Sequence, residues 1–308
     1  MIPTMRRYKD ENDYWRIRQF LREVMIANGL REFSWSVMRL DYWRYFGMNN
    51  IHPFATLPEI IFIWETSGNQ IAAVLNPEEP GDIFMQVHPA FKTNELEAEM
   101  IVTAEEHLSV ERNENRRLFL WADSLNTQRQ ELLKARGFAM HNYTESQWRR
   151  DLVEPIPQVP VAVGYTVRSL GDENELPARS WASWRGFHRD EPDEKYQGWE
   201  WYRDIQRCPL YRRDLDLVAV APDGAIAAIT TFWYDDFTRT VYIEPVATVP
   251  EHQRRGLARA LITEGLRRVQ RLGAVRAFVS GLEPGPDALY SSALSPQCDR
   301  SEQWIKKW

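Results

Sequence analysis

Cysteine is nearly absent: Cys208 and Cys298 are the two in 308 residues. Two cysteines supply neither a disulfide framework nor a cysteine-rich zinc site. The six histidines are scattered, with no HxxxH or HxH spacing, so no metal site is expected. There is no basic excess. Lys and Arg number 38 against 44 Asp and Glu, a net charge of -6 that argues against a nucleic-acid partner. No run of about 18 apolar residues occurs, so neither a membrane span nor a membrane partner is expected. The absence of a G-x-x-x-x-G-K-[ST] stretch disfavours a P-loop nucleotide binder. The opening MIPTMRRYKDENDYW lacks the apolar core of a secretion signal, and the expected compartment is the cytoplasm.

What the chain does carry is a repeated plan. Its length suits two domains of about 100–200 residues each. Pro155, Pro157 and Pro160 exclude a regular helix and mark residues 153–164 as an extended linker. The halves on either side, 1–152 and 165–308, echo one another. ETSGNQIAAVL and APDGAIAAITT both read as hairpins around a glycine turn, with the shared IAA starting at Ile71 and Ile226. FMQVHPAFKTNELEAEMI then parallels YIEPVATVPEHQRRGLARALI, with Val87 opposite Val249. A helix follows in each half, then a buried-looking strand, RLFLWAD in one and RAFVSGL in the other. A fixed offset of about one domain signals duplication. Hairpin, strand, helix, strand predicts a mixed α/β fold. In the second copy Ala258, Ile262, Leu266, Val269 and Leu272 recur at helical spacing and are expected to face a sheet.

Arg254, Arg255 and Gly256 fall where a strand hands over to that helix. A helix start exposes backbone N–H groups without partners, and its dipole favours an anion there. Glycine lets a bulky anion come close to the backbone, so this stretch suits phosphate and especially pyrophosphate.

Val-x-Pro, Gln253-x-x-Gly256-x-Ala258 and Leu261 together resemble the cofactor motif of the GCN5-related N-acetyltransferase (GNAT) superfamily, in its tandem-domain type. The resemblance implies two GNAT-like domains, each a central mixed, mostly antiparallel sheet flanked by helices. It implies acetyl-CoA as co-substrate, with no metal. Ala247, Thr248 and Val249 would pair with pantetheine. Gln253, Arg254, Arg255, Gly256, Leu257, Ala258 and Arg259 would wrap the pyrophosphate. Glu244 reads either as the general base or as an ion-paired surface glutamate. Tyr290, in DALYSS, reads either as the acid at the leaving sulfur or as a packing aromatic; the Gly-Phe that often follows in the family is missing. Because the family's first helices border its acceptor pocket, Trp184, Phe187, Asp190 and Trp199 are candidate acceptor residues, and Asp235, after Trp233-Tyr234, is a candidate from a strand end. The implied acceptor is an amine of a small molecule or of a protein. A CoA-binding sensor or scaffold without turnover is the alternative. The first copy has Glu95 opposite Gly256 and Glu97 opposite Ala258, which implies a fold that survives around a cofactor loop that does not.

Overall fold

The computed structural model describes residues 3–53, 55–112, 115–281 and 284–308, with the backbone alone for 284–287. Thirteen strands occur among them: β1 Thr4–Arg7, β2 Phe62–Glu65, β3 Ile71–Glu79, β4 Asp82–Val87, β5 Val110–Arg112, β6 Asn115–Asp123, β7 Ala139–Asp151, β8 Thr166–Ser169, β9 Asp216–Val220, β10 Ile226–Asp235, β11 Thr240–Thr248, β12 Arg276–Gly281 and β13 Cys298–Lys307. The chain divides into two compact units. One comprises Met1–Glu145 with Asp299–Trp308, and the other Ser146–Cys298.

The first unit holds strands in the order β1-β2-β3-β4-β6-β13, with β5 paired to β6. All neighbours are antiparallel except β4 and β6. The helices Asn94–His107 and Thr127–Ala135 supply Leu96, Met100, Ile101 and Leu133 to one sheet face, against Leu75, Ile83, Met85, Leu118 and Leu120.

The second unit repeats this plan as β8-β9-β10-β11-β12, with residues 146–151 of β7 beside β12. Again a single pair, β11 and β12, is parallel. The hairpin β9-β10 turns at Gly224, whose φ of 87° suits glycine. The helix Leu257–Arg271 crosses from β11 to β12. Ile262, Leu266 and Val269 are buried as their spacing predicts. The buried stripe is shifted, however: Leu257 and Leu261 also point inward, whereas Leu272 is 41% exposed at the C-cap. Gly265 lies against β10 so closely that a Cβ there would fall 2.0 Å from the Phe232 ring.

The boundary differs from the sequence expectation. Residues 153–164 contain no helix or strand, as the prolines require, but the break lies between Glu145 and Ser146, inside β7. The start of the expected linker packs on the second unit. Leu152 and Ile156 join its core, and the Gln270 amide donates to the carbonyls of Leu152 (2.9 Å) and Glu154 (2.8 Å). The last ten residues, in turn, complete the sheet of the first unit, from Ser301 opposite Asp123 to Lys307 opposite Arg117. The second half of the first copy's final strand thus belongs to the second unit, and the second copy's final strand belongs to the first.

Among the described residues no helix is long and apolar enough to cross a membrane. Nor is any group of three or more His, Cys, Asp or Glu among them placed to hold a metal ion.

Candidate active site

In the second unit β11 pairs with β12 only at its beginning, Thr240 with Arg276, Val241 with Ala277 and Tyr242 with Phe278. Beyond Tyr242 the two diverge, while β11 stays bonded to β10 through Ala228 opposite Thr248 and Ile229 opposite Ala247. One edge of residues 243–248 therefore turns away from the ladder and faces the gap between the diverging strands. Ala247 and Val249 have buried side chains and Thr248 is half-buried, so these three offer mainly backbone.

The chain then turns tightly. The Val249 amide donates to Ala227 (2.9 Å), and the Gln253 side chain folds back to donate to the Thr248 carbonyl (3.2 Å). Arg254 and Gly256 are both left-handed, at φ 61° and 75°. Such breaks turn successive N–H groups into one concavity that suits an anion. Gly256 is the N-cap of the helix Leu257–Arg271, and no side chain caps that end. A Cβ on Gly256 would meet no atom within 4 Å. Arg254, Arg255 and Arg259 are exposed at the rim, Ala258 is half-buried, and Leu257 commits its side chain to the core. The Arg255 guanidinium lies 5.8 Å from the Tyr165 ring, and the Tyr165 hydroxyl bonds the His252 Nδ1 (2.8 Å). Neither Tyr165 nor His252 carried a sequence signal.

The matching helix of the first unit, Asn94–His107, is closed by its own groups. Thr93 caps it, accepting from the Leu96 amide (3.2 Å). Glu97 is fully buried, with Arg129 at 2.6 Å. The Lys92 amine reaches the Asn126 side chain (2.9 Å), and burial lowers its pKa. The helix begins earlier than the aligned sequence implies, so Thr93 and not Glu95 takes the N-cap place of Gly256. Glu95 itself is exposed.

Glu244 is exposed on β11, at a bulge in which Glu244 and Pro245 together oppose Thr231. Tyr290 sits on the helix Pro284–Ala293, 7% exposed, in the core cluster that holds Leu257 and Val279. Trp184 and Phe187 end the helix Leu176–Phe187. That helix presses on β11: a Cβ on Gly186 would fall 2.8 Å from that of Ala247. Trp184 stacks on His188 (5.2 Å between centroids) and touches Trp181 and Tyr196, whereas Phe187 is 60% exposed. Arg185, missed in sequence, donates to the carbonyls of His188, Arg189 and Glu191 and lies 3.6 Å from Glu251, tying this loop to the start of the turn that leads to Gly256.

Three acceptor candidates fare differently. Asp190 is exposed beside Arg189 (3.2 Å). Trp199 lies under the Arg203 guanidinium (4.5 Å). Asp235 is buried, accepts from the Thr238 amide and hydroxyl, and pairs with Thr240, at the end of β11 remote from Thr248. It closes the β10-β11 turn.

Residues 176–289 match the family model described as the acetyltransferase (GNAT) family. This segment is similar to that family. No curated protein matches the chain. Three solved structures show the fold over nearly the whole length. A GCN5-related N-acetyltransferase from Sphaerobacter thermophilus is 18% identical, with TM-score 0.68, over 99% of this chain and 95% of its own. A tandem GNAT protein from the clavulanic acid biosynthesis pathway is 14% identical, with TM-score 0.63, over 99% and 98%. A GNAT-family acetyltransferase from Colwellia psychrerythraea is 11% identical, with TM-score 0.59, over 98% and 100%. The chain thus has the tandem GNAT fold, with the GNAT domain in its second unit.

Proposed function

We propose that the protein is an acetyl-CoA-dependent N-acetyltransferase that acetylates an amine of a small molecule, or of a protein, in its second unit. The observation that carries this reading is the contrast between the two helix starts. The one at Gly256 is uncapped, open and rimmed by arginines; the one at Thr93 is filled by the chain's own cap and by the Glu97–Arg129 pair. Open N–H groups and a helix dipole fit a pyrophosphate. The amides of residues 254–259 would hold it, and residues 247–249 would pair with the pantetheine arm along the free edge of β11.

Acetyl-CoA, when bound, supplies an acetyl group activated as a thioester. The work left to the protein is positioning and proton management. Helix Leu176–Phe187, pressed on β11, holds Trp184 and Phe187 beside the strand that would carry the thioester. Glu244 takes a proton from the acceptor nitrogen as its bond to the acetyl carbon forms. As the carbon–sulfur bond breaks, the Tyr290 hydroxyl donates to the sulfur that gains charge.

Calorimetric titration with acetyl-CoA, followed by a panel of amines assayed for thiol release, tests this. One site per chain and turnover with at least one amine are expected. Tight binding with no turnover on any amine or protein acceptor would leave a CoA-binding sensor instead.

A further inference from the structure

Three strands line up beside the proposed base: Asp216 on β9 lies across from Thr231 on β10, which opposes the Glu244–Pro245 bulge on β11. Asp216 is fully buried and uses both carboxylate oxygens. Its Oδ1 accepts from the Thr231 hydroxyl (3.1 Å) and the Arg179 Nε (3.3 Å). Its Oδ2 accepts from the Tyr211 hydroxyl (3.0 Å) and from the Tyr202 hydroxyl. Burial holds both phenols well above their ordinary pKa, so both remain donors. The Tyr211 ring meets Trp233 edge to face at 6.0 Å. Trp233, 1% exposed, donates its indole N–H to the Glu244 carbonyl at 2.6 Å.

A bulge re-aims the side chain of the residue it contains. Here one side of the bulge is held through Thr231 and the other through Trp233, and both lead back to Asp216. We propose that Trp233, backed by Tyr211 and Asp216, is a positioning residue that fixes the direction of the Glu244 carboxylate. The inference rests on the reading of Glu244 as the base. Trp233 touches neither proposed substrate and acts through the Glu244 backbone.

Trp233→Phe keeps a buried ring and removes the N–H. Its kcat should fall about tenfold, part of the 10²–10⁴ that a proton-transfer group supplies, while acetyl-CoA affinity by calorimetry stays as in wild type. The deciding measurement is the cycle with Glu244→Gln. If Trp233 acts through Glu244, adding Trp233→Phe to Glu244→Gln costs nothing further. Losses that multiply, or a Trp233→Phe enzyme with wild-type kcat, overturn the proposal. Should Trp233→Phe fail to fold, Tyr211→Phe removes the hydroxyl with its ties to Asp216 and Gln206, keeps the ring against Trp233, and should show a smaller loss with the same coupling. A Glu244→Gln enzyme with wild-type turnover would overturn the base and this inference together. A wild-type protein inactive on every acceptor would overturn the acetyltransferase reading itself.

Discussion

Tyr290 shows how far one side chain can be read in advance. The sequence offered two roles for it, acid or packing aromatic, and its burial among core residues leaves a place for both. Tyr290→Phe separates them. It keeps the ring and should bind acetyl-CoA normally while kcat falls about tenfold, at or below the low end for general acid catalysis because a thiolate leaves readily. Lost affinity with unchanged kcat would make it a binding residue. Asp82, in the first unit, had no sequence signal. Burial raises its pKa to about 7, against the donors Trp121 and Gln303. The folded chain therefore holds a proton that the unfolded chain releases near pH 4. Stability from this group is present below pH 4, falls between about pH 4 and 7, and is gone above. Asp82→Asn keeps an oxygen for both donors. It should raise the melting temperature by several degrees at pH 8 and hardly at all at pH 4, in matched thermal scans.

At the scale of elements, the turn at Gly256 was the most legible part. Gly256 after a strand and before an apolar helix carries a local backbone demand, and local demands show in sequence. A side chain at φ +75° costs about 1–2 kcal/mol. Gly256→Ala finds open space and bears that strain alone, whereas Gly256→Glu also sets a carboxylate in the anion site. The glutamate variant should bind acetyl-CoA about 100-fold or more weakly, near 3 kcal/mol, and the alanine variant far less so, by calorimetry on both. The acceptor side was less legible because its residues answer to partners that spacing does not reveal. Asp235 is bonded by Thr238, which spacing alone does not reveal, and Arg185 became visible only through three carbonyls of a loop.

For the molecule as a whole, the two copies were legible from their hairpins, but their limits were not. Pairing partners are chosen across long sequence distances, and nothing in CDRSEQWIKK says that this strand belongs beside β6. A cut at the prolines therefore falls in the wrong place. A fragment of residues 153–308 lacks residues 146–151, leaves β12 with an open edge, and keeps a strand that belongs elsewhere. It should aggregate. A fragment of residues 146–298 should stay soluble and bind acetyl-CoA, as measured by size-exclusion chromatography and calorimetry.

The two final strands also set an order on the ribosome. Domains of a nascent chain ordinarily finish in the order they are made. Here an earlier segment waits for one made after the whole second unit, since β6 gains β13 beside it only when Asp299–Trp308 has been translated. At roughly 5–20 residues per second, the first unit stands incomplete for roughly 10–30 s while the second is made. A premature stop codon just before residue 299 would spare every residue of the second unit and cripple the first.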